Sequence, residues 1–184
     1  MRDAAARPRQ NAAMNSSSPL RALVLAGLLA CATLLAHAAP QPGDVPPPLL
    51  GWTAAGDKVQ VDDYAGKAVI VTFWATWCPY CIKELPILEN VQNQAGKDKI
   101  AVIAVNTESR DVFRRAARIM EKSMHLTLAN DRGDEAQTAY GVKSLPHMVI
   151  IGRDGRIVKV WHGYAEDRLD EIVADINQAL ADPR

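Results

Sequence analysis

Much that would place a protein quickly is missing from this sequence. Neither sign of charge is in excess, since 21 lysines and arginines stand against 21 aspartates and glutamates among 184 residues. No net field therefore points to nucleic acid as a partner. No repeat with a period of roughly 20–50 residues and no low-complexity block occurs. Cysteine is scarce: Cys31, Cys78 and Cys81 are the only three, too few for a disulfide-stapled scaffold. What remains is ordinary globular composition, with 48% apolar and 23% charged residues. That excludes a disordered chain, and the length suits one domain with a real core, short of what two would need.

The N-terminus is the first informative stretch. Arg7, Arg9 and Arg21 precede an apolar run from Ala22 to Ala36, and Ala36-His37-Ala38 follows as a small-x-small site. Together these features predict a secretory signal peptide over residues 1–38, cleaved after Ala38. A buried core helix would carry a polar face, and this Leu/Ala run has none. Met14 is a second candidate start, because Met14 to Arg21 already forms a charged lead. Two variants stay open. Leu28-Leu29-Ala30-Cys31 resembles a lipoprotein signal acylated at Cys31, although the apolar run continues past that cysteine. An uncleaved N-terminal anchor is the other, although a span normally needs about 20 apolar residues.

Export changes the meaning of the cysteines. With Cys31 inside the signal, only Cys78 and Cys81 remain, and a lone C-x-x-C closes too small a loop to stabilise a fold appreciably. A single such pair in an exported protein points to redox chemistry. The alternative, half of a zinc site, lacks a second C-x-x-C or a suitably spaced histidine pair.

Residues 39–48 read as a stiff, proline-rich linker, followed by two short strands around Ala55-Gly56-Asp57 and a turn over 62–67. Ala68–Trp74 and Ile100–Asn106 are continuous apolar, β-branched runs, the pattern of strands buried on both faces. A helix between them should carry Ile82, Leu85, Leu88 and Val91 inward, with Pro86 kinking it. Ser109 should cap a further helix with Val112, Phe113, Ala116, Ile119 and Met120 along its apolar stripe. A short strand (126–129), a short helix (135–140) ended by Gly141, and two strands joined through Gly152-Arg153-Asp154-Gly155 come next. A last helix should bury Leu169, Ile172, Val173, Ile176 and Leu180. This order predicts an α/β domain over 49–184, a mixed sheet sandwiched between helices.

Phe73-Trp74-Ala75-Thr76-Trp77-Cys78-Pro79-Tyr80-Cys81, at a strand-to-helix junction, resembles the active-site segment of thioredoxin-fold proteins. Pro86 matches that fold's helix-kinking proline, and Gly141-Val142-Lys143-Ser144-Leu145-Pro146 resembles its cis-proline loop. Asp63-Tyr64-Ala65-Gly66-Lys67, Glu84 followed by Leu85-Pro86, and an extra helix and strand over roughly 107–129 resemble the TlpA/ResA-like envelope thiol–disulfide oxidoreductases. The resemblance implies a thioredoxin-like fold with the TlpA/ResA-type insert after the C-x-x-C helix. It also implies a periplasmic dithiol reductase of envelope proteins, of the cytochrome c maturation type, with a redox-active Cys78–Cys81 disulfide and no bound cofactor or metal. Protein disulfides would be its substrates, a membrane carrier of the DsbD/CcdA type its electron donor, and a monomer its state. Three features depart from the pattern. Pro-Tyr between the cysteines is closer to glutaredoxins, Thr72 stands where cytosolic thioredoxins bury an aspartate, and His147 follows the cis-proline position.

Roles follow for single residues. Cys78, at the helix start, should have a lowered pKa and attack, and buried Cys81 should resolve the mixed disulfide. Glu84 is either an exposed acid of the first turn or, as the resemblance implies, a partly buried acid that tunes the cysteines. Trp77, Pro79, Tyr80, Leu145 and Pro146 would meet the substrate, Leu145 through its backbone beside a cis Pro146. Two rivals remain open: an oxidant that inserts disulfides, and a copper-binding chaperone in which His125, His147 or His162 joins the two thiolates. The Pro-x-x-x-Thr-x-x-Cys pattern of peroxidatic relatives is absent around Cys78.

Overall fold

The structure is a computed structural model that describes residues 39–164 and 166–181. The expected signal segment, its cleavage site and Cys31 therefore lie outside the described residues. Two seven-residue apolar runs build the centre of the sheet. β3 (Ala68–Trp74) and β4 (Ile100–Asn106) are buried along their whole length and pair parallel, from Ala68 opposite Ile100 to Trp74 opposite Asn106. β5 (Thr127–Asn130) continues the sheet parallel to β4, and β6 (His147–Ile151) pairs antiparallel with β3 on the other side. β7 (Ile157–His162) forms a hairpin with β6, and β1 (Leu49–Trp52) and β2 (Lys58–Gln60) form a second hairpin beside β5. The seven strands lie in the order β2-β1-β5-β4-β3-β6-β7.

Alternate side chains of a strand face opposite sides of the sheet, so each central strand feeds two cores. On one face Ile70, Trp74, Val102, Ala104, Met148 and Ile150 meet three helices, α1 (Pro79–Ala95), α2 (Arg110–Met120) and α4 (Leu169–Leu180). On the other, Val71, Phe73, Ile103, Val105 and Val149 pack with Leu50, Val61 and Tyr140, next to the short helix α3 (Glu135–Ala139). A mixed sheet between helices is what the sequence predicts, and the stretch 107–130 does hold a helix and a strand.

Several side chains differ from expectation. Ile82 is 46% exposed, because the inner face of α1 is set by Cys81, Glu84, Leu85, Leu88 and Gln92, and Ile82 stands about 100° round from Cys81 at 3.6 residues per turn. Ile119 and Val173 point to solvent for the same reason, with Ala117 on α2 and Ala179 on α4 taking the inward positions. Ser109 occupies the N-cap of α2 without a side-chain cap bond. Residues 39–48, expected as a spacer, are tied to the domain. Gly43 N–H donates to the Ile157 carbonyl at 2.7 Å and Tyr140 Oη donates to the Pro47 carbonyl at 2.7 Å.

Candidate active site

β3 ends at Trp74, and a turn closed by Cys78 N–H to the Ala75 carbonyl (3.1 Å) delivers Cys78 to the N-cap of α1. Pro79 follows at the first helical position, where its missing N–H removes a donor that has no intrahelical partner anyway. Cys78 has extended backbone angles (φ −94°, ψ 102°), and its Sγ accepts from Cys81 N–H at 3.2 Å. The first turn of a helix leaves such N–H groups unpaired and carries the positive end of the dipole. Sulfur at this position is therefore favoured as thiolate once reduced. Cys78 and Cys81 form a disulfide with Cα atoms 5.3 Å apart. Both cysteines are buried, Cys81 fully and Cys78 with 4% of its area exposed.

Behind the disulfide lies an acid. Glu84 is only 6% exposed, and Thr72 Oγ1 donates to its Oε2 at 2.6 Å. Burial disfavours the carboxylate and raises its pKa to about 7, with the Thr72 bond pulling the other way. Of the two readings of Glu84 open from the sequence, the buried one matches this geometry. Cys81 and Glu84 are three apart on the inner face of α1, the spacing that makes helix side chains neighbours. Thr72 comes from the centre of β3.

The Leu145–Pro146 peptide bond is cis. Because His147, the first residue of β6, pairs with Phe73 near the end of β3, this loop stands at the same sheet end as the turn 75–78. Pro146 is buried and its carbonyl accepts from Gly163 N–H at 2.8 Å, while Leu145 is half-buried against both cores. Trp77 (68% exposed), Tyr80 (56%) and Pro79 form the outward rim, and Tyr80 stacks on Tyr164 with ring centroids 5.8 Å apart. Trp74, by contrast, is core.

The histidines divide. His125 lies on the surface, its Nδ1 3.2 Å from Glu89 Oε1. His147 is buried edge-on to Phe73, with its Nδ1 3.2 Å from that of His162 on β7. Its pKa falls to about 4, mainly through desolvation and then through His162. Among the described residues no group of three or more His, Cys, Asp or Glu is arranged to hold a metal. One site residue has no signal in the sequence pattern. Glu108, in the loop after β4, accepts from both the N–H and the hydroxyl of Thr76, two residues before Cys78.

Comparison with known proteins agrees with this geometry. The Redoxin family model matches residues 41–180. The thioredoxin-like protein YneN of Bacillus subtilis is 34% identical over 126 residues, covering 67% of this chain and 72% of its own length. The thiol–disulfide oxidoreductase ResA of Bacillus thuringiensis is 28% identical over 122 residues, 66% of this chain and 70% of the relative. Among solved structures, a thiol:disulfide interchange protein DsbE from Chlorobium tepidum superposes with a TM-score of 0.69 at 25% identity, covering 78% of this chain and all of that one. The fold is thioredoxin-like, and the chain belongs to the redoxin family as a TlpA/ResA-like thiol–disulfide oxidoreductase.

Proposed function

We propose that this protein is an exported dithiol reductase of envelope proteins, with Cys78 as nucleophile and Cys81 as resolving thiol. The observation that carries this reading is the asymmetry of the pair: one sulfur at the helix N-cap, the other buried on the inner face beside a protonatable Glu84. The Cys78 thiolate attacks a substrate disulfide, forming a mixed disulfide and expelling one substrate thiolate, which takes up a proton. Cys81 then gives its proton to Glu84 and attacks Cys78 Sγ, closing the Cys78–Cys81 bond and expelling the second substrate sulfur as a thiolate, which takes up a proton. Two electrons pass to the substrate, and the pair itself carries them without a bound cofactor. A membrane dithiol donor of the DsbD/CcdA type returns the pair to its reduced form.

Trp77, Pro79 and Tyr80 form the surface that meets the substrate, and Leu145, held by cis Pro146, offers its backbone alongside. A monomer suffices for this chemistry, and proteins of the cytochrome c maturation pathway are the substrates the family resemblance favours. Direction is tested by equilibrating the protein in glutathione buffers of graded poise. A reductase should show a potential below about −200 mV, in the range of thioredoxin and glutaredoxins, whereas a value near −120 mV would make it an oxidant.

A further inference from the structure

The β3–β4 ladder does not stop at the strand ends. Beyond Trp74 and Asn106, Thr107 N–H still donates to the Trp74 carbonyl at 3.0 Å. The next donor on the β3 side is Thr76 N–H. In this register it would face the Thr107 carbonyl, whereas the Asn106 carbonyl is turned to the β5 side, accepting from Asp131 N–H (2.9 Å) and Asn130 Nδ2 (3.2 Å). Thr76 turns instead to the Glu108 side chain, with N–H to Oε2 at 2.5 Å and Oγ1 to Oε1 at 2.9 Å. Glu108 is itself fixed. Its N–H donates to Asn106 Oδ1 (3.0 Å), its Oε2 accepts from Asn106 Nδ2 (3.2 Å), and its carbonyl accepts from Asn130 Nδ2 (2.8 Å). Asn106 and Asn130 are buried at the ends of β4 and β5, so the grip on Thr76 is anchored in the sheet.

We infer that Glu108 is a positioning residue for Cys78: its carboxylate replaces the missing ladder acceptor and fixes the turn 75–78, holding Sγ at the N-cap of α1. The inference rests on the reading of Cys78 as nucleophile. Two effects of the carboxylate oppose each other. Holding the sulfur at the helix N-terminus favours the thiolate, whereas a nearby negative charge disfavours it. A glutamine at this position keeps an acceptor for Thr76 N–H and removes the charge, so it separates the two.

The experiment compares the reduced wild type, Glu108→Ala and Glu108→Gln. The rate of cysteine alkylation by iodoacetamide is followed against pH, the modified residue is identified by peptide mapping, and insulin-disulfide reduction and melting temperature are measured alongside. Glu108→Ala should raise the apparent Cys78 pKa by about one unit, which leaves about tenfold less thiolate at neutral pH and slows insulin reduction accordingly. Glu108→Gln should leave the pKa at or below the wild-type value and retain most of the activity. A pKa lowered alike in both variants would make charge the whole effect and overturn the inference. So would a lowered melting temperature in both with an unmoved pH profile, the mark of a purely structural role. If Cys81 is the residue alkylated first in the wild type, the assignment of the nucleophile fails, and the inference with it. That outcome is recognisable before any variant is made.

Discussion

Replacing Glu84 by glutamine should remove a pH dependence of stability that the wild type carries between about pH 4.5 and 7. Glu84 has its pKa raised from 4.5 to about 7 in the folded protein, mainly by burial. Between those values the unfolded chain ionises while the folded protein keeps its proton. Stability therefore falls as pH rises, is fully present below about 4.5, and is lost by the time the folded group ionises. A shift of this size corresponds to about 3 kcal/mol. His147 acts with the opposite sign in almost the same window, since its lowered pKa makes stability fall as pH drops from 6.5 towards 4. The two slopes partly cancel in the wild type, so the informative quantity is the difference between variant and wild type. Urea unfolding of both oxidised proteins at pH 4 and pH 8 gives it. With a slope of roughly 2 kcal/mol per molar urea, the gap between midpoints should widen in favour of Glu84→Gln by about 1.5 M from the lower pH to the higher. A gap that stays constant would refute the reasoning, because it would mean that Glu84 ionises alike in folded and unfolded chains.

The complementary variant, His147→Leu, should gain on the wild type by up to about 3 kcal/mol as pH falls from 7 to 4, read from the same unfolding curves; parallel curves would show that the His147 pKa is not lowered in the folded protein. Trp77→Ala should leave the melting temperature nearly unchanged, within about 0.5 kcal/mol for so exposed a side chain. The KM for a protein disulfide should rise, and an unaltered KM would remove Trp77 from the substrate surface. Gly51→Ala should destabilise by about 1–3 kcal/mol in thermal or urea unfolding. The reasons are that φ there is +139° and an added Cβ would stand 2.7 Å from the Asn130 carbonyl oxygen. A neutral result would mean that β1 can shift away from β5.

What could be read in the sequence was whatever rests on local pattern. β3 and β4 fall on Ala68–Trp74 and Ile100–Asn106 because unbroken apolar runs have one favourable environment, a strand covered on both faces. The active-site junction was legible through the resemblance of Phe73–Cys81 to a known segment, with Pro79 suited to a first helical position. The errors arise where tertiary contact decides. Ile82, Ile119 and Val173 look like core residues when only apolarity is counted. On α1 the inward places go to Glu84, whose acid meets Thr72, and to Gln92, whose Oε1 accepts from Val102 N–H at 2.8 Å. A polar residue that is buried because a specific partner waits for it has no periodic signature. Glu108 is the extreme case. It lies in a loop, its partner is 32 residues away, and only the pairing of β3 with β4 brings the two together. The nearest available sign was the pair of asparagines at the ends of β4 and β5, polar residues closing otherwise apolar strands.

The most direct test of the account is a trapping reaction with the two single-cysteine variants. Reduced Cys81→Ser and reduced Cys78→Ser are each mixed with insulin, and covalent adducts are counted by mass spectrometry after acid quenching. The account expects Cys81→Ser to accumulate a mixed disulfide on Cys78, which no second thiol can resolve, and Cys78→Ser to remain essentially unmodified because its remaining sulfur is buried. Equal trapping on both variants, or trapping on Cys81 alone, would contradict it.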